Sequence, residues 1–347
     1  MSTEEVSLAQ APTATSRISL VGIGGAGNNL LARAIVSGVS PIRCVAVNTD
    51  GAQLSGSPAR NKVLMNTPSA SQNKDSSEET SKFSLGVSAN RVKPFVDGSN
   101  FAFVLTGLGG VLGTSTAPLI AQLTRSPECL VVSIVALPYL HERERRFVAL
   151  RGLKQMARAS NCTVIVDNAT SNESPSTTGR ISDEQAGIAV RSLAEFVSTA
   201  SPMTGREVLE VMSLGPIATV CTAAFKSGRN IQSSVVEALR KPSASLPLKD
   251  VKGAILLSNG SRRVENGEAA LAYETIASLV GENVEFIHGN VRSASEPTMC
   301  LFLTGYDYNL AIRSLVDFVE LYDAEAGEPS TVGKLRLEVP LFQMEVP

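Results

Sequence analysis

The sequence predicts an α/β fold with a parallel-sheet domain first, then a long central helix, then a smaller α+β domain. In the first half, apolar strands alternate with helical stretches, and these strands are apolar almost throughout. Such strands are typical of a parallel sheet that is covered by helices on both faces. Two glycine-rich turns, each at the end of a strand and the start of a helix, indicate a Rossmann-like arrangement.

Composition limits the class of protein. The chain has 347 residues, 43% of them hydrophobic, which is enough for two domains with sizeable cores. Its net charge of −2, without a Lys/Arg-rich run, disfavours nucleic acid and anionic membranes as partners. No stretch reaches the roughly 20 apolar residues that span a bilayer. Residues 1–16 lack a secretion signal, so we expect a cytoplasmic protein without membrane insertion.

The cysteines give no sign of a metal site. They are scattered along the chain without ligand-type spacing, and most lie inside apolar runs. We therefore predict that they are buried as small hydrophobic side chains. The five positions are Cys44, Cys129, Cys162, Cys221 and Cys300.

The first predicted domain covers residues 17–180. The preceding segment, residues 1–16, is polar and is expected to be disordered. A helix is predicted at 28–37, and the polar stretch 66–90 is expected to be a long surface segment. The predicted strands of this domain are 18–21, 44–47, 101–105, 130–136 and 162–166.

The second half begins with a helix at 181–201, which is apolar nearly all round and is therefore expected to lie between two bodies. Residues 202–318 mix helices and strands without a glycine turn, which favours a smaller α+β domain with a sheet of about four strands. The tail, 319–347, ends in an apolar stub that is either a docking peptide or an edge strand. The predicted helices are 207–212, 218–226 and 268–280, and the predicted strands are 254–258, 284–287 and 300–304.

The first glycine turn has the pattern of a polyphosphate cradle. It reads Gly-Ile-Gly-Gly-Ala-Gly-Asn from Gly22, and its glycines allow the backbone N–H groups to approach an anion closely. The Gly-x-Gly-x-x-Gly pattern is common, and its usual ligand is NAD or FAD. A nucleotide site and a ligand-free tight turn both remain open here. The candidate residues are Gly24, Gly25, Ala26, Gly27 and Asn28.

A second glycine turn strengthens the nucleotide interpretation. It follows the apolar strand 101–105 and again opens a helix, so two such turns suggest a nucleotide held from both sides. The candidate residues are Gly109, Gly110, Gly113, Thr114 and Ser115.

On these motifs the chain resembles the tubulin and FtsZ superfamily, FtsZ more than tubulin, over residues 17–306. Residues 21–29 look like the first phosphate loop of FtsZ, and 45–50, which includes Asn48, look like the second. Residues 103–118 stand where the family has its glycine-rich tubulin signature. Three motifs in the same order make chance improbable. The resemblance implies a GTP-binding domain, GTP or GDP as ligand, and Mg²⁺ with GTP, although no protein ligand cluster for it is visible.

The resemblance also implies roles for four further residues. Glu142 and Arg146 match positions that reach ribose and phosphates, with a surface ion pair within 142–146 as the alternative. Asn168 matches a guanine contact. Asp183 matches the carboxylate that accepts from two guanine donors and so selects guanine over adenine; its alternative role is an acid at a helix N-terminus.

The chain departs from the family where hydrolysis is concerned. In the family a loop from one subunit carries acids into the neighbour's site, and here the matching residues are 202–207. Thr204 replaces the first acid and Glu207 alone keeps a carboxylate, as the weak catalytic candidate. Val111 and Leu112 replace a glycine and a threonine of the signature, with Ser115 and Thr116 as replacement donors. The third family loop has no counterpart in 66–90, so we expect nucleotide binding with weak or altered hydrolysis.

Three functions follow, in order of preference. The first is an FtsZ-like cytoskeletal GTPase that assembles head to tail with itself, in cell division, and whose tail docks a membrane-anchor or division protein. The second is a pseudo-GTPase scaffold of the same fold that recruits partners. The third is a Rossmann enzyme, NAD-dependent or adenylating, which leaves the second glycine turn unexplained.

Overall fold

The computed structural model describes residues 17–39, 43–65, 89–168, 175–199, 201–226, 228–292 and 296–325. Three predictions lie outside these residues: the N-terminal segment 1–16, most of the polar stretch 66–90, and the tail beyond Glu325.

Ten strands of the described chain form one sheet, in the order β3-β2-β1-β4-β5-β6-β7-β10-β8-β9. Neighbours are parallel from β3 to β7 and between β8 and β9, whereas β10 is antiparallel to both β7 and β8. The strands are β1 Ile18–Ile23, β2 Arg43–Asn48, β3 Asn61–Leu64, β4 Phe101–Gly107, β5 Leu130–Leu137, β6 Cys162–Asp167, β7 Ile217–Ala224, β8 Gly253–Asn259, β9 Glu285–Val291 and β10 Thr298–Tyr306.

Helices cover both faces of this sheet, and an apolar core lies on each side. β1, β5 and β6 are buried along their whole length, as expected of central parallel strands. The described helices are α1 Gly24–Val36, α2 Gly51–Gly56, α3 Lys93–Val96, α4 Val111–Thr124, α5 Arg143–Ala159, α6 Pro175–Thr199, α7 Pro202–Met212, α8 Ile231–Leu239, α9 Asn266–Val280 and α10 Tyr308–Glu325.

The predicted fold class is confirmed. All five strands predicted for the first half lie within β1, β2, β4, β5 and β6, and α6 is the long central helix. The four strands of the second half continue the same sheet, because β7 pairs with β6 at Thr163, Val164 and Ile165. The predicted boundary at 318 falls within α10, which continues to Glu325.

One predicted helix is wrong. Residues 218–226 were expected to be helical, but residues 217–224 form β7, which pairs with β6 and β10. Half of the run is Ile, Thr or Val, and six of its eight residues are buried. β-Branched side chains favour a strand here. The prediction failed because a short apolar run can fit the periodicity of a helix or that of a strand.

Candidate functional site

The carboxyl ends of five parallel strands meet at one edge of the sheet, where ligands bind in open α/β folds. β1, β2, β4, β5 and β6 end there, and each is followed by a turn. We refer to this side of the sheet as the carboxyl edge. All the predicted nucleotide residues of the turns, from Gly24 to Asn168, lie on it.

The first glycine turn connects β1 directly to α1. Gly24 has a φ of +71°, a conformation that glycine adopts at little cost. No side chain in the described part of the chain caps the first turn of α1, so its N–H groups remain for a ligand. Gly25 and Ala26 are exposed. Gly27 is buried, and a Cβ added to it would lie 2.2 Å from the Leu105 carbonyl oxygen, so α1 contacts the end of β4.

Asn28 and Asn48 hold the neighbouring turns in place. The buried Asn28 amide donates to the Val47 carbonyl oxygen over 3.3 Å. Asn48 accepts from the Thr49 N–H over 2.8 Å and donates to the Gln53 side chain over 2.9 Å. That Gln53 oxygen lies 3.5 Å from the Cβ position of Gly25, so the turn after β2 adjoins the first glycine turn. Direct nucleotide contact by either asparagine stays a prediction.

The second glycine turn contacts the first. A Cβ on Gly107 would lie 2.6 Å from the Ala26 Cβ, which brings the starts of α1 and α4 together. Gly109 has a φ of +91°, and its Cβ position is 2.5 Å from the Arg145 carbonyl oxygen. Around Gly110 there is open space, with no described atom within 4 Å of its Cβ position. The two turns therefore lie side by side, and we refer to the space between them as the cradle.

Several expected donors of the second turn are used within it. The Gly109 N–H donates to the Thr114 hydroxyl over 2.9 Å. The Ser115 hydroxyl donates to the Val111 carbonyl oxygen over 2.6 Å, within its own helix. Thr116 is buried, and its hydroxyl has no hydrogen-bond partner among the described atoms. The role of Ser115 and Thr116 as replacement phosphate donors stays a prediction.

Apolar side chains stand at the start of α4. Val111 is 80% exposed. The Leu112 Cβ lies 3.9 Å from the Cβ position of Gly24, so this side chain borders the first glycine turn. The first turn of α1, by contrast, carries only glycines and Ala26.

Arg146 has a different partner from either of those predicted. It is buried and binds both carboxylate oxygens of Asp167, over 2.8 and 2.7 Å, and it donates to the Pro138 carbonyl oxygen over 2.8 Å. A surface ion pair does exist at this helix start, but it joins Glu142 to Arg145. Glu142 also accepts from the Tyr139 N–H. Phosphate contact by Arg146 stays a prediction.

Sequence reasoning missed Asp167 and its link to the second half of the chain. The Asp167 N–H donates to the Ser243 carbonyl oxygen over 2.6 Å. Asn168 follows Asp167 directly, at the carboxyl edge. Asp183 lies on α6, but its side chain is outside the described residues, so its guanine role stays a prediction. An acid at the end of a buried parallel strand was the available signal for Asp167.

The weak catalytic candidate lies at the other end of the sheet. Residues 202–207 were expected to form a loop, but they are the start of α7. The reason is local: Pro202 suits a first helical position, and the Ser201 hydroxyl accepts from the Thr204 N–H over 3.2 Å. Glu207 is exposed. The Cβ position of Gly205 lies 3.7 Å from the Phe101 ring, at the amino end of β4, so Glu207 lies far from its own chain's cradle.

The cysteine side chains and possible metal ligands were predicted from the sequence to form no site. All five cysteines are buried, as predicted, and burial raises the pKa of Cys162 and of Cys221 to about 12. Within the described ranges, no three His, Cys, Asp or Glu side chains are grouped so as to hold a metal ion. No helix of the described chain is long and apolar enough to cross a membrane.

Comparison with known proteins agrees with this geometry. Residues 17–174 match the family described as the Tubulin/FtsZ family, GTPase domain. The cell division protein FtsZ 1 of Methanocaldococcus jannaschii is 28% identical over 287 residues, which cover 79% of this chain and 78% of that protein. FtsZ 1 of Pyrococcus horikoshii is 29% identical over 274 residues, which cover 75% and 73%.

Solved structures show the same fold. An FtsZ dimer from M. jannaschii has a TM-score of 0.74 and 25% identity, and covers 85% of this chain and 89% of its own. A GTPγS-bound CetZ2 protofilament from Haloferax volcanii has a TM-score of 0.69 and 20% identity, with coverage of 90% and 99%. The chain thus has the tubulin/FtsZ fold, and it is similar to FtsZ in sequence over about four fifths of its length.

Proposed function

We propose that this FtsZ-like protein binds GDP or GTP at the carboxyl edge and assembles head to tail into cytoskeletal filaments that act in cell division. The observation that carries the proposal is the contact between two strand–glycine–helix turns, through Gly107 and Ala26. Two helix N-termini then face one small volume, and each offers unpaired N–H groups and a partial positive charge to phosphate oxygens.

Guanine selection is assigned to Asn168 and Asp183. Asn168 lies at the carboxyl edge, and Asp183 lies on α6, which packs against α1. A carboxylate beside the base accepts from the two donors of guanine, a pair that adenine does not offer. With GTP, a bound Mg²⁺ would neutralise phosphate charge; among the described residues, no three His, Cys, Asp or Glu side chains are grouped to hold it.

Hydrolysis is proposed to be weak. Leu112 borders the first glycine turn where the family has a polar side chain. Glu207 is the one acid in residues 202–207, and it is exposed at the end of the sheet opposite the carboxyl edge. It is therefore too far from its own chain's nucleotide to take part in hydrolysis there, and could act only on the nucleotide of a second copy. The relatives named above as a dimer and a protofilament support assembly between copies. Docking of a division protein on residues 319–347 stays a prediction.

Identification of the co-purified nucleotide tests the proposal. The full chain is purified without added nucleotide and denatured, and the released small molecules are separated and quantified against the protein. We expect GDP or GTP near one per chain. NAD or an adenine nucleotide instead would contradict guanine binding and favour a Rossmann enzyme.

A second assay separates the GTPase from the scaffold of the same fold. Phosphate release per chain is measured over a range of protein concentrations, alongside sedimentation of polymer. Turnover that rises as the polymer forms indicates a shared active site. A flat baseline with normal polymer favours the scaffold.

A further inference from the structure

β9 lies at one end of the sheet, and only β8 pairs with it among the described strands. The Glu285 N–H and the Val291 carbonyl oxygen make hydrogen bonds of 2.9 and 3.1 Å to residues that flank β8. Backbone groups alternate in direction along a strand, so those of every second residue between these two point away from β8. We call these outward N–H and carbonyl groups the outer edge of β9. They belong to Phe286, His288 and Asn290.

The sequence of β9 does not protect this edge from pairing. Open edges attract other strands, and proteins usually guard them with a lysine, a proline or a bulge. β9 reads Glu-Phe-Ile-His-Gly-Asn-Val, without lysine or proline, and its register with β8 is regular from end to end. Its one charged side chain, Glu285, stands at its first position. The outer edge is therefore suited to accept a further strand.

Apolar side chains on β9 are left half-buried beside the outer edge. The rings of Phe286 and His288 stack with their centroids 6.3 Å apart, and the Tyr273 ring of α9 lies 5.8 Å from that of Phe286. Ile287 is half-buried on the opposite face of the sheet. A strand added at this edge would remove more of the apolar surface of these side chains from water.

One run in the tail has the pattern of such a strand. Residues 334–339 read Lys-Leu-Arg-Leu-Glu-Val, and they lie outside the described residues. Strict alternation of apolar and polar residues is typical of a strand with one buried face. Gly333 precedes the run, and Pro340 follows it and cannot donate to a strand ladder. The run is therefore about as long as β9.

The two faces of this run match the two faces of β9. Its apolar residues all fall on one face, which can cover the rings of Phe286 and His288. Arg336 then falls on the other face, where the exposed Glu285 projects from β9. Opposite charges on neighbouring strands attract each other, so both faces favour the same pairing.

The chain itself can supply this strand. The buried Ala311 and Leu315 of α10 belong to the apolar core against which Phe286 packs, so α10 lies on that face of the sheet. Residues 326–333, which follow α10, span up to about 25 Å when extended. We infer that residues 334–339 pair with the outer edge of β9 as a further strand of the same chain's sheet.

This inference goes beyond the proposed function and depends neither on a nucleotide nor on filaments. Pairing covers the apolar residues of 334–339. A division protein that binds these residues would have to displace them from β9, so the pairing controls access to the tail.

Amide hydrogen exchange of the full chain, at single-residue resolution, tests the inference. Wild type is compared with a variant that combines Arg336→Pro and Leu337→Pro. Two adjacent prolines remove N–H groups that point to both sides of the proposed strand. The matched control combines Thr331→Pro and Val332→Pro, which lie before the run. Each protein is measured at a high and a low concentration, and sedimentation reports its oligomeric state.

In wild type, the N–H groups of the outer edge should exchange about as slowly as those of Ile287 and Gly289, which face β8. The prolines at 336 and 337 should speed exchange at the outer edge by about tenfold or more. They should leave Ile287 and Gly289 unchanged. The control variant should match wild type at both concentrations.

Fast exchange at the outer edge of wild type would overturn the inference, and so would unchanged exchange with prolines at 336 and 337. Equal acceleration by the control variant would show that residues 334–339 are not the strand that pairs. Protection that disappears at the low concentration, together with loss of an oligomer, would show pairing between copies and overturn the assignment to the same chain. None of these results bears on nucleotide binding.

Discussion

The two strand–glycine–helix turns share a backbone design and differ in their side chains. In the first, α1 begins with Gly24, Gly25 and Ala26, so little but backbone faces the cradle. In the second, α4 begins with Val111 and Leu112, which bring apolar bulk to the same volume. Anchoring a phosphate through N–H groups needs only the backbone, whereas acting on the terminal phosphate needs polar side chains. The difference predicts that this chain can bind a nucleotide while its hydrolysis is weakened.

The two turns also differ in how they are supported. The first is held by close backbone packing, at Gly27 against Leu105. The second is supported from α5, where the Arg145 backbone touches Gly109 and Arg146 links Pro138 to Asp167. The buried ion pair lies next to the second turn, and we expect it to support that turn.

Removing that ion pair should give the largest effect. Arg146→Met removes the guanidinium that binds the buried Asp167 carboxylate, which costs about 3–5 kcal/mol of unfolding free energy. Urea denaturation followed by circular dichroism measures the loss. Arg146→Met combined with Asp167→Leu should recover most of it, because a buried apolar pair has no charge to desolvate. A single variant within about 1 kcal/mol of wild type would show that the pair does not support the second turn.

The packing of the first turn is tested by Gly27→Ala. The new Cβ would lie 2.2 Å from the Leu105 carbonyl oxygen, so backbone must move, and we expect a loss of about 3 kcal/mol. Gly110→Ala is the stability control, since its Cβ position has no described atom within 4 Å. Equal denaturation midpoints for the two variants would refute close packing as the support of the first turn.

Binding without a change in folding is tested by Gly25→Ala. The added methyl group has only the Gln53 side chain nearby, at 3.5 Å, so the unfolding free energy should stay within about 1 kcal/mol of wild type. It stands in the cradle, however, and should lower GDP affinity by about tenfold or more, measured by calorimetry. Unchanged affinity in the stable variant would place the phosphates elsewhere.

The smallest expected effect concerns the side chains of the second turn. Leu112→Thr restores a hydroxyl beside Gly24, and one added hydrogen bond is worth about 1 kcal/mol. We expect a few-fold higher affinity for GTPγS, with little change for GDP. Leu112→Val is the matched control, because valine has the shape of threonine without the hydroxyl. Equal gains in both variants would assign the effect to bulk alone.

The sequence predicts those strands and turns that are encoded by short stretches of neighbouring residues. Continuous apolar runs located β1, β4, β5 and β6, and glycine spacing located both turns. The sequence did not predict β7, because its short apolar run fits the periodicity of a helix as well as that of a strand. It also did not predict the start of α7, where a capping serine and a proline at the first helical position favour a helix over the expected loop. It also missed the pairing of Arg146 with Asp167, because only the folded sheet brings these residues together.

Hydrogen exchange of the full chain, with and without GDP, tests whether the N–H groups at the starts of α1 and α4 hold one diphosphate. We expect slower exchange with GDP in residues 24–28 and 110–113 together, and little change with ADP at the same concentration. Slower exchange in only one of these segments, or in neither, would contradict this expectation.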